Sequence, residues 1–406
     1  MQRRVFEYLE NDVAIASHRT ISEFLGAKWI ASLVKKGLPI NRVLSLMTID
    51  GYPALELRGL FAWLPNFLPD HATYLIDIDP LAVTIYGDPR KLSMDTRKAI
   101  VSSISKHAKK DPWFYSDEIE QEPLGNLSGP DMTDEFRTIL NATDTTVHLK
   151  VLILDAIING PAMPDIHGDL ISILENRSAS YTLRERAFRA IISTTASGTK
   201  QVVAVTKNQL LHDPEDSEIT SHIVEELYPN NFTPDDVSRL VSTILSVKGE
   251  GLFGRLWSLH ENLPEKDIFE ILDKLSDIFR TVKNVDWRSR GDATHFFSAL
   301  LVRAFNSTEV LEAERFLYWM QSLSAIREEG GTGSSSFDSI ITQWLKDSSG
   351  LVHQIYRISF DNFNSDRWWM FWSEFQRTIF DAYEFCLLYT SPSPRDRTRS
   401  RMPSSA

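Results

Sequence analysis

Cysteine is nearly missing from this sequence: Cys386 is the only one in 406 residues. A single thiol excludes an intrachain disulfide framework and any zinc site built from cysteines, and it suits a reducing cytoplasm. Long apolar runs are missing too, and none approaches the roughly 18–20 residues that a membrane helix needs. Positive charge is in short supply. Lys and Arg number 43 against 55 Asp and Glu, a formal net charge of −12. A chain this acidic, without a basic stripe, argues against nucleic acid as its main partner.

The signatures of common catalysts are also lacking. No G-x-x-x-x-G-K-[ST] occurs, so no phosphate-cradling loop of that kind is encoded. Neither H-E-x-x-H nor G-x-S-x-G is found. Gly249-Glu250-Gly251-Leu252-Phe253-Gly254 has the G-x-G-x-x-G spacing. It follows a helical pattern rather than a strand, however, and so reads as an interhelical turn. The Gly/Ser run 330–336 has no Lys after it and reads as a linker. Asp165, His167 and Asp169, like His212 and Asp213, have no second ligand cluster at helical spacing. They are expected to be solvated loop residues, and no metal ligand is assigned.

What the chain does have is helical periodicity. Apolar positions at i, i+3, i+4 and i+7 predict helices over 41–48, 54–64, 70–75, 79–86 and 95–107, the last with Ser93 as its cap. The stretch 109–132 is irregular and reads as a loop or seam. The run 147–158 is apolar on nearly every side and must be covered on more than one face. A related pattern returns 35 positions on, from His148–Ile157 to Leu183–Ile192, with helices expected between and after them at 164–175 and 202–211. That spacing suits helix-pair repeats, in which each unit buries its apolar side against its neighbours.

Thr233-Pro234-Asp235-Asp236 opens a helix with a capping hydroxyl, a proline at the first position and carboxylates at the positive end. Val237, Leu240, Val241, Ile244 and Leu245 form its stripe; Ile268, Ile271, Leu272, Leu275 and Phe279 form that of the next. Further helices are expected at 292–304, 308–325, 337–346 and 365–384. Trp368-Trp369-Met370-Phe371-Trp372 reads as part of a core helix rather than an exposed docking patch. Strand-like alternation is scarce after residue 20. The fold class is therefore all-α, a HEAT-like α-solenoid with a small β-hairpin at its start.

That start carries the most specific pattern. Two β-biased runs around Glu10-Asn11-Asp12 lead into Ala16-Ser17-His18-Arg19-Thr20-Ile21-Ser22-Glu23-Phe24-Leu25-Gly26-Ala27. Ile21, Phe24, Leu25, Ile30 and Leu33 then suit an amphipathic helix that Gly37 would stop. The stretch resembles the end of the winged-helix subdomain in NACHT-type STAND NTPases, which include animal inflammasome receptors and bacterial antiviral sensors. Their motif has the form F-x-H-x-S/T-x-x-E-F-L-A-A. His18, Thr20, Glu23, Phe24, Leu25 and Ala27 match it; Ala16 replaces the Phe and Gly26 the first Ala.

The resemblance implies an organisation and a function. Residues 1–36 would end the winged-helix part of an ATPase module. Residues 37–128 would form a first helical domain and 129–385 a HEAT-like sensor region, in a fragment of a longer protein. His18 would contact the β-phosphate of ADP, a role that a hydrogen-bonding, near-neutral side chain can fill. That contact would need an ATPase core outside this chain, so ATP, ADP and magnesium are implied for the parent and no cofactor for the chain itself. The implied partners are a foreign protein ligand, such as a phage protein, and further copies assembled through the ATPase core; neither nucleic acid nor membrane is implied. The chain itself is expected not to be an enzyme. A free-standing α-solenoid scaffold that binds proteins is the competing reading. Residues 386–406, Cys386-Leu387-Leu388-Tyr389 through Ser404-Ser405-Ala406, resemble a translated sequencing adapter and are expected to be an artefactual, disordered tail.

Overall fold

The structure is a computed structural model. It describes residues 6–9, 13–16, 18–111, 113–115, 121–195, 197–246, 256, 258–283, 285–307 and 310–327, with scattered positions from 340 to 358. The turn 249–254, the run 330–336, the Trp368–Trp372 cluster and the tail 386–406 lie outside the described residues. The chain divides into two compact units, Met1–Val205 and Thr206–Ala406. Its fold is an all-α helical repeat with a small β-hairpin near the N-terminus.

In the first unit β1 (Phe6–Leu9) and β2 (Val13–Ala16) pair antiparallel, with Phe6 opposite Ala16. Helix α1 (Arg19–Lys35) follows at once. It ends as the sequence leads one to expect. Gly37 takes a left-handed φ of 105°, its amide donates to Val34 and the Leu38 amide donates to Leu33. This pair of bonds is a Schellman stop, which only glycine adopts without strain. Then come α2 (Ile40–Met47), the short hairpin β3 (Thr48–Ile49) and β4 (Tyr52–Pro53), α3 (Arg58–Phe67), α4 (Ala72–Ile78), α5 (Pro80–Tyr86) and α6 (Met94–Lys110). Ser93 caps α6 by accepting from the Thr96 amide. Helices α7 (Thr133–Asn141), α8 (Val147–Ile158), α9 (His167–Glu175), α10 (Tyr181–Thr194) and α11 (Gly198–Asn208) complete the series.

Helices pack on the second neighbour along the chain. Within the unit α1 lies on α3 and α3 on α5; α4 lies on α6, α6 on α8 and α8 on α10. A helix with two apolar sides is satisfied in this way by the helix before and the helix after it in its row. Eight residues of α8 are buried, among them Leu152, Ile153, Leu154 and Ala156 with no exposure at all. The irregular 121–132 stretch supplies one of its covers. Its 3-10 turn Glu122–Leu127 lies on α8, with Leu124 and Leu127 fully buried. The approach is so close that a Cβ on Gly125 would collide with the carbonyl of Asn159, and one on Gly160 with Ser128. Backbone meets backbone there, and only glycine fits.

The second unit contains α12 (Ser217–Leu227), α13 (Pro234–Ser246), α14 (Leu259–Asn262), α15 (Glu265–Thr281), α16 (Trp287–Phe305) and α17 (Ala313–Ile326). Again α13 lies on α15 and α15 on α17, while α12, α14 and α16 form the accompanying row. Both expected stripes are buried, Val237 to Leu245 on α13 and Ile268 to Phe279 on α15. Thr233 and Asp236 form a reciprocal cap at the start of α13. The Thr233 amide donates to Asp236 Oδ2 at 2.9 Å, and the Asp236 amide donates to Thr233 Oγ1.

A Gly125→Ala substitution is expected to destabilise the first unit by about 1–3 kcal/mol, because rigid backbone must give way. Urea unfolding followed by circular dichroism measures it. A wild-type midpoint would show that the two backbones are not in contact.

Candidate functional site

The sequence singles out His18, and the structure sets it at the N-cap position of α1. Its backbone is extended, with φ −140° and ψ 135°, and its carbonyl accepts from the Ile21 amide at 3.0 Å. The imidazole is exposed and makes no capping bond. No acidic residue occupies the first turn, which leaves the positive end of the helix dipole uncompensated there. Next to it Arg19 donates to Glu23 at 2.7 Å and to the Glu56 carbonyl at 3.0 Å. A helix start with an exposed imidazole can meet a phosphate oxygen. One such contact cannot hold a nucleotide without phosphate-cradling amides and magnesium ligands.

The other motif positions divide into two groups. Phe24 and Ala27 turn inward: Phe24 packs edge-on against Trp63 at 5.1 Å and Phe67 at 5.2 Å, and Ala27 is fully buried. Thr20 and Leu25 are exposed, Leu25 by 40%. This differs from the expected apolar face, on which Leu25 belonged. The buried residues of α1 are instead the small ones, Ala27 and Ala31. The close fit to α3 explains the choice, since Gly26 faces Leu60 and Gly59 faces the Glu23 carboxylate with no room for a Cβ. Small side chains line a tight helix contact, and the larger Leu25 and Trp29 are left outside.

A set of charged rungs, not anticipated from the sequence, joins helices within each unit. In the first unit Arg58 of α3 clamps Asp79, the cap of α5, with bonds of 2.7 and 3.1 Å. Arg137 of α7 meets Asp169 of α9 at 3.0 Å, and Asp155 of α8 meets Arg186 of α10 at 3.2 Å. In the second unit, which begins at Thr206 within the last turn of α11, Lys207 reaches Asp236 at 2.9 Å, Lys274 of α15 reaches Asp235 of α13 at 2.6 Å, and Arg315 of α17 reaches Asp273 of α15 at 2.7 Å. Trp319 also donates to Asp273 at 2.7 Å, and the Arg315 guanidinium lies over the rings of Phe269 and Trp319. Each rung ties a helix to its second neighbour.

Burial separates the rungs by strength. Asp155 has no exposed surface and takes a second bond from the buried Tyr115 hydroxyl at 2.7 Å, whereas Asp273 and Arg315 are 41% and 32% exposed. Removing one partner of a buried pair strands the other, at about 3–5 kcal/mol. Exposed pairs contribute about 0.2–1 kcal/mol. The carboxyl of Asp236 lies between these limits. Burial alone would raise its pKa, but the bonds from Lys207 and Thr233 outweigh burial and hold it below the ordinary 3.8. Burial and the bond to Asp267 push the Tyr228 hydroxyl upward.

The residues weighed as metal ligands have structural work instead. His167 and Asp169 lie in the first turn of α9 rather than in a loop, His167 against Gln201 and Asp169 against Arg137 and Asn141. Asp213 caps a short turn by accepting from the Glu215 amide, and the His212 ring contacts the Lys207 carbonyl at 3.1 Å. Among the described residues no group of three His, Cys, Asp or Glu could hold a metal, and no helix is long and apolar enough to cross a membrane. A scan against protein families finds no match to the chain, and searches of curated proteins and of solved structures find none either.

Asp155→Asn is therefore expected to cost the first unit several times what Asp273→Asn costs the second; paired urea melts at pH 7 measure both. The pH dependence has a definite sign. A carboxyl with a lowered folded pKa binds fewer protons when folded. The stabilisation from Asp236 is thus complete above the unfolded value near 3.8 and is lost as pH falls through the lower folded value. Acid titration of the wild type and Asp236→Asn should show the difference shrinking below about pH 4.

Proposed function

We propose that this chain is the ligand-sensing helical region of a NACHT-type STAND NTPase, with residues 1–36 the end of its winged-helix part. The observation that carries the reading is the junction at His18. A β-hairpin runs straight into a helix whose matched motif residues, Phe24 and Ala27, pack it onto the first helices of the repeat. In this reading the switch between ADP-bound and ATP-bound states belongs to an ATPase core outside the chain, and His18 is its contact with the ADP β-phosphate. The helical rows recognise the trigger, a foreign protein in a cytoplasmic antiviral response. The chain alone performs no catalysis and holds no cofactor.

The alternative is a free-standing scaffold that binds a protein along its stacked helices. It draws on those rows, which need no ATPase to be stable. The two readings part at the gene. Long-read sequencing of the source locus across Met1 should find an in-frame G-x-x-x-x-G-K-[ST] and an acidic magnesium-binding motif a few hundred codons upstream of His18. A ribosome-binding site and stop codon directly before Met1 would sink the STAND reading and leave the scaffold.

A further inference from the structure

The one Asp-Gly pair of the sequence, Asp50–Gly51, closes the β3–β4 hairpin, and the one Asn-Gly pair, Asn159–Gly160, follows α8. Either pair can cyclise. The glycine amide nitrogen attacks the side-chain carbonyl carbon of the residue before it, and a five-membered imide results. Glycine obstructs that approach least, because it brings no Cβ. By sequence alone Asn159–Gly160 is the faster pair, since a neutral amide is a better electrophile than a carboxylate.

The structure reverses that order. The Asn159 side-chain amide donates to the Asp155 carbonyl at 2.9 Å, and the Gly160 amide, the nucleophile of the reaction, donates to the Ile157 carbonyl. Ser128 and the carbonyls of Gly125 and Ala156 fill the space around Gly160. Ring closure there requires the end of α8 to open against the packing that buries it. Asp50–Gly51 has none of these restraints. Both residues are exposed, and nothing lies within 4 Å of a Cβ placed on Gly51. Among the described residues neither the Asp50 carboxylate nor the Gly51 amide has a hydrogen-bond partner. Asp50 is also the one non-glycine residue among them with a left-handed backbone, at φ 53°. Thr48 pairs with Pro53 and Ile49 with Tyr52, and so short a ladder opens readily to the rotation that brings nitrogen to carbon.

We propose that Asp50 is a site of spontaneous covalent modification, converting to isoaspartate through a cyclic imide with Gly51. The Gly51 nitrogen bonds to the side-chain carboxyl carbon of Asp50; that carbon loses its hydroxyl, which leaves with the amide proton as water. Water then reopens the ring. Attack at the side-chain carbonyl restores aspartate, whereas attack at the main-chain carbonyl leaves the chain running through the side chain. One water is lost and one regained, and no other reactant enters. The product lengthens the backbone of a two-residue turn by one methylene, which disturbs the pairing of Ile49 with Tyr52. The site does not depend on the STAND reading.

Ageing the 406-residue chain for several weeks at neutral pH, followed by tryptic mapping, tests it. Cleavage after Arg42 and Arg58 isolates Asp50, and cleavage after Lys150 and Arg177 isolates Asn159. The 43–58 peptide should gain a chromatographically separate form of unchanged mass. Its backbone-fragment ions should mark isoaspartate, and an isoaspartyl methyltransferase should label it. In the same digest Asn159 should be at least about tenfold less converted than Asp50. Ageing in guanidinium chloride should turn the order round, with Asn159 ahead. Asp50→Glu, which needs a less favourable six-membered ring, should abolish the signal while the circular dichroism stays unchanged. An unconverted Asp50 in the folded chain, a signal that survives Asp50→Glu, or the same order of the two sites in both conditions would each overturn the inference.

Discussion

Helix α8 cannot exist alone. Leu149, Val151, Leu152, Ile153, Leu154, Ala156 and Ile157 point around the whole circumference, and every one is buried. Each Leu, Ile or Val among them gives about 1.5–3 kcal/mol only when it is removed from water, so the helix demands cover on all sides. The first unit is arranged to provide it. The 3-10 turn Glu122–Leu127 closes one side, α6 and α10 flank it along its row, and α7 lies on the remaining one. Gly125 and Gly160 let the backbone come close enough to seal the contact. The repeat is the general solution to that local problem, since each helix in a row covers the one before it and is covered by the next.

Charge enters that core only where it is paired. Asp155 sits among the apolar residues of α8, and both of its oxygens are used, one by the Tyr115 hydroxyl and one by Arg186. A slip of α10 along α8 would strand the carboxylate, so the pair opposes that slip. The more exposed rungs of the second unit set the same relation between helices with less force behind it.

Much of this was legible in the sequence, for definite reasons. A stripe such as Val237 to Leu245 states its own buried face, and Thr233-Pro234-Asp235-Asp236 states where the helix begins. The all-round apolar run at 147–158 announces burial before any partner is known. The rungs were not legible because their partners lie 21 to 42 residues apart, and nothing in a single sequence says which Asp an Arg will meet. The β3–β4 hairpin escaped because its strands are two residues long; the Asp50-Gly51 pair was the one available signal. On α1 the periodicity favoured large side chains, and Leu25 was placed on the wrong face because the close approach to α3 could not be foreseen. At the candidate site the motif was readable and its matched residues lie in one helix.

Helix α8 is the element around which the first unit is built. Hydrogen exchange followed by mass spectrometry tests this directly. Peptides covering 147–158 should be the last of the first unit to exchange, together with those of α10, while α1 and the β3–β4 hairpin exchange early. Exchange of 147–158 as fast as that of α1 would contradict the account, because a helix buried on every side opens only when the whole unit does.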